Sequence, residues 1–146
     1  MKLEIFRTLW GYTATKAQAL EELLEAGFDG MEARLPMTAS ERAEFAAFLR
    51  ANHVSYISTV FSAYDVLPEQ SASVDEHLLD LDKKLAWAAE LSPRFVNLLA
   101  GNDRWPLAQQ VDFFGRVIHG FFCREFRQPF HAHRDGVAQF LNAVRA

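Results

Sequence analysis

The sequence predicts an α/β protein in which parallel β-strands alternate with α-helices and form part of a (β/α)8 barrel. Short β-branched and aromatic segments alternate strictly with segments of helical periodicity, and strands are predicted to begin near residues 3, 28, 54, 94 and 129. The chain has 146 residues, whereas a complete barrel needs about 250. We therefore expect a truncated barrel, a half-barrel of about four to five parallel βα units in a single domain spanning residues 1–146.

Local signals place the first elements of this half-barrel. The first three strands are predicted over Leu3–Trp10, Phe28–Leu35 and Val54–Phe61. Lys16–Ala26 has helical periodicity, with Leu20, Leu23 and Leu24 on one face, and Gly27 is expected to end that helix. The second helix is predicted to start at the capping-box sequence Thr38-Ala39-Ser40-Glu41 and to reach about Ala51. Its buried residues are expected to be Phe45, Ala46 and Leu49.

The later elements follow the same alternation. A loop over Ser62–Ala72 leads to a second capping box, Ser73-Val74-Asp75-Glu76, and to a long helix that ends before Pro93. His77 on this helix is expected to face solvent. The fourth strand is predicted over Phe95–Ala100 and the fourth helix after Pro106. A short fifth strand, Phe130–His133, and a helix through Val137, Phe140, Leu141 and Val144 would complete the series.

Composition excludes several classes of protein. The formal net charge is -4 and no Lys/Arg cluster stands out, so no nucleic-acid partner is expected. No apolar segment approaches the roughly 20 residues that span a bilayer, so no membrane partner is expected. Cys123 is the single cysteine and cannot form an internal disulfide, and the first residues lack the apolar stretch of a signal peptide. A cytoplasmic location is therefore expected.

An open, doubly wound sheet is the alternative architecture for alternating strands and helices. Such sheets usually carry a glycine-rich phosphate loop after a strand, as G-x-G-x-x-G or a P-loop. The sequence has neither motif, and Gly101-Asn102-Asp103 offers a single glycine. The barrel is therefore favoured.

Several segments, taken in order, carry a resemblance to a known superfamily. They are Leu3-Glu4-Ile5-Phe6-Arg7-Thr8-Leu9-Trp10-Gly11, Ala26-Gly27-Phe28-Asp29-Gly30-Met31-Glu32-Ala33-Arg34, Pro93-Arg94-Phe95-Val96-Asn97, Gly101-Asn102-Asp103-Arg104-Trp105 and Asp112-Phe113-Phe114-Gly115-Arg116. Together they resemble the N-terminal half of the xylose isomerase-like, sugar phosphate isomerase/epimerase TIM barrels. The match covers roughly residues 3 to 118, whereas residues 119–146 fit poorly, so the chain is expected to be a truncation or altered-frame product of a longer barrel gene.

The resemblance implies a metal-dependent sugar or sugar-phosphate isomerase or epimerase. Glu32 would be the retained catalytic carboxylate, and a divalent metal (Mn, Mg, Co or Zn) would assist if one is bound at all. The implied metal ligands are His131 and His133, in a segment where the family's glutamate is missing. The family's remaining ligands, from strands six to eight, are also missing, so impaired activity is expected. The implied substrate contacts are Trp10, Arg34, Asn97, Asn102, Asp103 and Arg134.

Simpler interpretations of these residues stay open. Glu32 and Arg34 lie two residues apart on one strand face and could form an ion pair with each other. His131 and His133 could be polar residues at a strand end, although the spacing would let both imidazoles share one ion. Asp103 could simply help to start the helix at Pro106, while Asn102, Asp103 and Trp105 could instead bind sugar hydroxyls and a sugar face.

A half-barrel leaves two sheet edges and one sheet face uncovered, which favours association with another chain. We therefore predict a homodimer or higher homo-oligomer, with the Phe-rich C-terminal third in the contact. Two functional alternatives to the isomerase remain: a self-associating β/α module without catalytic activity, and a small-molecule binding fold without metal.

Overall fold

The structure is a computed structural model that describes residues 3–63, 66, 69 and 71–123, with the backbone alone for residues 121–123. The chain divides after Phe113 into two compact units. The sheet and three helices belong to the first unit, and the second is described only where it continues the last helix. Within the described residues no helix is long and apolar enough to cross a membrane.

The described residues contain one sheet of four parallel strands, in the order β1-β2-β3-β4, and four helices that alternate with the strands. The strands are β1 (Phe6–Thr8), β2 (Gly30–Arg34), β3 (Ser55–Phe61) and β4 (Phe95–Leu99). The helices are α1 (Lys16–Glu25), α2 (Ala39–Ala51), α3 (Val74–Ala89) and α4 (Leu107–Cys123). The predicted α/β class, the parallel sheet and the first four βα units are confirmed. The predicted fifth strand and fifth helix lie outside the described residues.

Side chains that accept backbone hydrogen bonds fix where the first three helices begin. Thr38 with Glu41 and Ser73 with Glu76 form the two predicted capping boxes. Thr15 and Gln18 form a third at the start of α1. In each box the hydroxyl accepts from the backbone three residues on, and that residue's side chain accepts from the cap backbone. The sequence spacing of all three boxes is the same, so the third was available to prediction as well.

One side of the sheet is covered by helices, and we call it the covered face. It consists of Met31, Tyr56, Ser58 and Val60, each of which is at most 2% exposed. Phe45 of α2 packs edge-on against the ring of Tyr56, with 5.1 Å between ring centroids. The predicted burial of Phe45, Ala46 and Leu49 is confirmed. On α1, whose Leu20, Leu23 and Leu24 were predicted to share one face, Leu23 is buried together with Ala19, while Leu24 is 64% exposed.

The inner surface of α3 is partly polar, which the sequence analysis did not anticipate. Its buried residues are His77, Leu81, Lys84 and Ala88, which follow helical spacing. His77 is fully buried, so its predicted solvent exposure is wrong. The imidazole is buried because the Ser62 hydroxyl lies 2.8 Å from its Nδ1 and Trp105 packs on the ring. Lys84 donates to the carbonyl of Phe61 and forms an ion pair with Asp80 at 2.6 Å.

The opposite side of the sheet, which we call the open face, carries side chains in register across all four strands. Thr8 pairs with Glu32, Arg34 with Thr59, and Thr59 with Asn97. Phe95 and Leu99, on the same side of β4, are 51% and 49% exposed. The open face is therefore the surface on which a ligand or another chain can contact the sheet.

An ion pair between the segments that precede β1 and β4 indicates that the sheet is curved. Arg94, just before β4, forms two hydrogen bonds to the carboxylate of Glu4, just before β1, at 2.9 and 3.2 Å. These residues flank the two outer strands, which three strand intervals of roughly 14 Å would separate in a flat sheet. Curvature that brings the outer strands together is what a barrel segment requires.

Candidate functional site

A cavity of about 400 Å³ lies on the open face at the carboxyl ends of the strands. Its size is within the range of small-molecule sites. In parallel β/α folds this end of the sheet is where loops converge and ligands bind. The lining residues are Thr8, Trp10, Glu32, Ala33, Arg34, Thr59, Phe61, Val66, Asn97 and Leu99.

Glu32 is the carboxylate of this cavity, and two neighbouring strands orient it. Its Oε1 accepts a hydrogen bond of 3.0 Å from the Thr59 hydroxyl and one of 2.8 Å from the Asn97 amide. The Glu32 carbonyl also accepts from the backbone of Leu9 at 2.7 Å, which ties β2 to the end of β1. Glu32 is half-buried, and hydrogen bonds to an ionised carboxylate are among the stronger ones in proteins. The carboxylate is therefore held in one orientation.

Aromatic rings and a guanidinium form the rim of the cavity. Trp10 is 56% exposed and lies 5.8 Å from the ring of Phe61, centroid to centroid. The guanidinium of Arg34 lies 5.7 Å from the centroid of the same Phe61 ring. Exposed aromatic faces bind the C–H surface of apolar and sugar-like ligands, while a guanidinium binds acceptor oxygens. The cavity therefore combines an apolar surface with one negative and one positive group.

Four of the predicted site residues meet in this cavity: Trp10, Glu32, Arg34 and Asn97. Asn102 and Asp103 are not among the lining residues. Asn102 is 6% exposed and its side-chain oxygen accepts from the backbone of Arg104 at 2.9 Å, so it stabilises the turn before α4. Trp105 packs against His77 and Phe113. His131, His133 and Arg134 lie outside the described residues.

Thr59 and Phe61 are functional candidates that the sequence analysis did not name. Both belong to β3. They reach the cavity because the register of β3 with its two neighbouring strands places Thr59 beside Arg34 and Asn97. Alternation within β3 was a usable signal, since Thr59 and Phe61 share a strand face. The register that puts this face beside Glu32 is not a local property of the sequence.

A buried Ser–His pair lies on the covered side, behind the end of β3. The Ser62 hydroxyl accepts from the backbone of Gly101 at 3.0 Å and is hydrogen-bonded to Nδ1 of His77 at 2.8 Å. Nε2 of His77 is buried and has no hydrogen-bond partner among the described residues. Burial lowers the pKa of His77 against the opposing effects of Asp80 and Glu76. The pair joins β3, α3 and the loop after β4, and this is a structural role.

The described residues offer few ligands for a metal. They contain no group of three or more His, Cys, Asp or Glu side chains placed to hold an ion. Glu32 is the one acidic side chain among the lining residues of the cavity described above. The described part of the chain therefore supplies a single carboxylate toward the divalent metal that the sequence resemblance implies, and the predicted histidine ligands lie beyond it.

Comparison with known proteins gives a likeness of fold. No family model matches the chain, and no curated protein matches it. The solved structure of CpGH84B, a glycoside hydrolase, superposes with a TM-score of 0.51 at 15% sequence identity. The match covers 84% of this chain and 25% of that one, so the chain spans about a quarter of the length of this solved structure. At this identity the likeness concerns the fold alone, and a half-barrel is compatible with it.

Proposed function

We propose that the chain is a β/α half-barrel of the sugar isomerase/epimerase type that binds a small polyol or sugar in the cavity on its open face. The observation that carries the proposal is the Glu32 carboxylate, oriented by Thr59 and Asn97 at the carboxyl ends of the strands. Trp10 and Phe61 would contact the C–H surface of the sugar, and the Asn97 amide and the carboxylate would contact its hydroxyls.

Glu32 would be the residue that moves a proton in this site. Both hydrogen bonds from the protein go to Oε1, so Oε2 is the oxygen that would accept a proton from a carbon or hydroxyl of the sugar and return it. A positioned carboxylate of this kind contributes about 10²–10⁴-fold to a proton-transfer step. A divalent metal bound beside the substrate would polarise its carbonyl and hydroxyl oxygens.

Binding and chemistry can be tested separately. Ligand-observed NMR with D-xylose, D-ribose and D-glucose would report binding. Incorporation of deuterium from ²H₂O into a C–H position of the sugar would report isomerase or epimerase chemistry. We expect binding in the wild type, weaker binding in Asn97→Ala, and loss of exchange in Glu32→Gln with binding retained. Binding without exchange in the wild type, with and without added Mn²⁺, would support a small-molecule binding fold without catalysis. No binding of any sugar would reject the proposal.

Self-association is the second candidate function, and the exposed apolar residues of the outer strands favour it. Ile5, beside β1, is 50% exposed, and Phe95 and Leu99 of β4 are about as exposed. Among the described strands, β1 and β4 each have one edge without a strand partner. Exposed strand edges next to apolar side chains are surfaces on which another chain can add. A homodimer would cover both edges through one repeated contact.

Light scattering at micromolar concentration tests this candidate. A homodimer is expected for the wild type, and Phe95→Lys together with Leu99→Lys should shift it to monomer. The matched control is Leu79→Lys, because Leu79 is 74% exposed on α3, away from the sheet edges. A wild-type monomer, or a dimer that survives the β4 substitutions, would count against association through this edge.

A further inference from the structure

We infer that Tyr12 is a positioning residue for the open-face cavity: it anchors the turn after β1 to α1 and thereby holds the indole of Trp10 at the cavity. Trp10 is a lining residue of the cavity and Tyr12 is not, so Tyr12 would act on a ligand through Trp10. The inference rests on the proposed function, because the position of the indole matters to a ligand only if the cavity binds one.

Trp10 belongs to a tight turn between β1 and α1. The backbone N–H of Tyr12 donates to the carbonyl of Leu9 at 3.1 Å, so residues 9–12 form a β-turn. Gly11, the third residue of the turn, has a φ of 71°, and a positive φ at this position is what a type II turn requires. Trp10 is the second residue, so the conformation of this turn sets the direction in which the indole leaves the backbone.

Hydrogen bonds to cavity residues fix the beginning of the turn. The backbone N–H of Leu9 donates to the carbonyl of Glu32 at 2.7 Å, and the backbone N–H of Trp10 donates to the hydroxyl of Thr8 at 3.3 Å. Glu32 and Thr8 both line the cavity. These bonds hold the first half of the turn, and the second half is held from α1.

Three side chains fix the end of the turn, and we call Arg7, Tyr12 and Glu22 the anchor cluster. The Tyr12 hydroxyl donates to Oε1 of Glu22 at 2.8 Å, and Arg7 donates to Oε2 of the same carboxylate. The guanidinium of Arg7 also lies 5.3 Å from the centroid of the Tyr12 ring. Both oxygens of Glu22 are used within the anchor cluster, which therefore joins β1, α1 and the turn at one point.

The ionisation of the anchor cluster favours this link. Burial raises the pKa of Tyr12 above its ordinary value of 10.0, and the hydrogen bond to Glu22 raises it as well, against the effect of Arg7. The phenol therefore keeps its proton at neutral pH and donates it to a carboxylate. A hydrogen bond of this kind is stronger than one between two neutral groups.

The competing interpretation is that the anchor cluster only stabilises the packing of α1 on the sheet. However, α1 has a buried contact of its own through Ala19 and Leu23. Tyr12 lies outside both β1 and α1, so its hydroxyl fixes the turn rather than the helix. A positioning role predicts that Tyr12 affects ligand affinity only while Trp10 is present, whereas a structural role predicts the same effect without Trp10.

The first test follows the indole of Trp10 in the intact chain without any ligand. The chain has three tryptophans, each of which gives one indole N–H signal in a ¹H–¹⁵N spectrum, and Trp10→Phe identifies the signal of Trp10. Tyr12→Phe removes the hydroxyl and keeps the ring. We expect this variant to shift the Trp10 signal and to lower its heteronuclear NOE, with the signals of Trp87 and Trp105 unchanged. A Trp10 signal identical to that of the wild type would overturn the inference.

The second test is a double-mutant cycle on sugar affinity, measured by ligand-observed NMR. Its probe is whichever of D-xylose, D-ribose and D-glucose binds the wild type most tightly. Tyr12→Phe should weaken binding about threefold or more in the wild type but less than about 1.5-fold in Trp10→Leu, because the two residues act as a unit. Equal losses in both backgrounds would show that Tyr12 acts on the fold rather than through Trp10, and would overturn the inference.

A matched pair of substitutions on α1 controls for charge and for failure to fold. Glu22 accepts from Tyr12, whereas the neighbouring Glu21 is exposed and lies outside the anchor cluster. Glu22→Ala should reproduce the effect of Tyr12→Phe on the Trp10 signal, and Glu21→Ala should match the wild type. Equal changes in Glu21→Ala and Glu22→Ala would assign the effect to the charge of α1 and would count decisively against the anchor cluster.

The two tests separate this inference from the proposed function. If a sugar binds, and Tyr12→Phe changes neither the Trp10 signal nor the affinity, the inference is overturned and the sugar site stands. If no sugar binds the wild type, the proposed function is rejected. The indole signal then decides by itself whether Tyr12 holds Trp10 in place.

Discussion

The covered and open faces of the same sheet differ sharply in how their residues are used. On the covered face, Met31, Tyr56, Ser58 and Val60 are at most 2% exposed and pack against helices. On the open face, Phe95, Leu99 and Trp10 are about half exposed, and the polar groups hydrogen-bond to one another across strands. Strand alternation assigns neighbouring residues to opposite faces. The comparison therefore separates residues that stabilise the fold from residues available to a ligand, one position apart in the sequence.

The largest expected effect on stability comes from Phe45, which packs against the covered face. Phe95 on the open face is its comparison. Phe45→Ala should lower the free energy of unfolding by about 3–5 kcal/mol, because the ring is 2% exposed and its removal leaves a cavity beside Tyr56. Phe95→Ala should cost no more than about 0.5 kcal/mol, because that ring is half exposed. Urea unfolding of the two variants is the measurement, and similar losses would contradict the assignment of the two faces.

Gly30 lies at the amino-terminal end of the open face, where side chains fill the space above the sheet. A Cβ on Gly30 would meet the Ser55 carbonyl oxygen and lie 2.6 Å from a ring carbon of Phe6. Because the Ser55 oxygen belongs to the neighbouring strand backbone, it cannot move aside, and Gly30→Ala should destabilise by about 1–3 kcal/mol. The amino-terminal end of this face is therefore packed, while the cavity occupies the carboxyl end.

Gly115→Ala is the matched control for this substitution. Gly115 lies within α4 and a Cβ there meets no atom of the described residues within 4 Å, so alanine should stabilise by about 0.5–1 kcal/mol through helix propensity. Thermal unfolding of both variants would show opposite shifts. A Gly30→Ala variant as stable as the wild type would mean that Phe6 and Gly30 do not close that end of the face.

The pH dependence of stability should be set in part by the covered side of the sheet, through His77. Burial lowers the pKa of His77 below its ordinary value of 6.5, so the unfolded chain binds the proton more readily than the folded one. Stability from this group is complete above pH 6.5 and decreases as the pH falls below it. Asp80, Glu76 and Lys84 are the charged groups that influence this pKa, and the two acids oppose the effect of burial.

Unfolding free energies at pH 7.5 and 5.5 would measure this contribution. The wild type should lose stability at the lower pH, and His77→Gln should lose less of it while being less stable at pH 7.5. His53→Asn is the control, because His53 is exposed and its φ of 54° suits asparagine. If His53→Asn reduced the pH dependence as much as His77→Gln does, burial of His77 would not be its source.

Elements that depend on local signals were predictable from the sequence. The capping residues Thr38 and Ser73 fixed the starts of α2 and α3 within a residue, because a hydroxyl and a carboxylate three positions apart suffice for a capping box. Strand ends were less predictable. The first strand was predicted over Leu3–Trp10 but extends over Phe6–Thr8, because ladder pairing with β2 decides where it begins and ends.

Four residues of the site were predictable from the resemblance to a barrel family. Trp10, Glu32, Arg34 and Asn97 were expected because barrel sites form toward the carboxyl ends of the strands. Thr59 was missed because its contact with Glu32 depends on the register between β2 and β3. His77 was misassigned because its burial depends on a partner, Ser62, fifteen positions away. Non-local pairing is the property that sequence periodicity does not carry.

The smallest expected effect tests whether the two outer strands approach each other. Arg94→Met and Glu4→Gln, alone and together, form a double-mutant cycle on the ion pair between them. Both side chains are partly exposed, so the coupling should be about 0.2–1 kcal/mol and should weaken with added salt. A matched cycle on Arg7 and Glu22, which join β1 to the adjacent helix, should give coupling of similar size in a flat or a curved sheet. Coupling for Arg7 with Glu22 but none for Arg94 with Glu4 would indicate that the outer strands stay apart, and the curvature that supports the half-barrel would then lose its main contact.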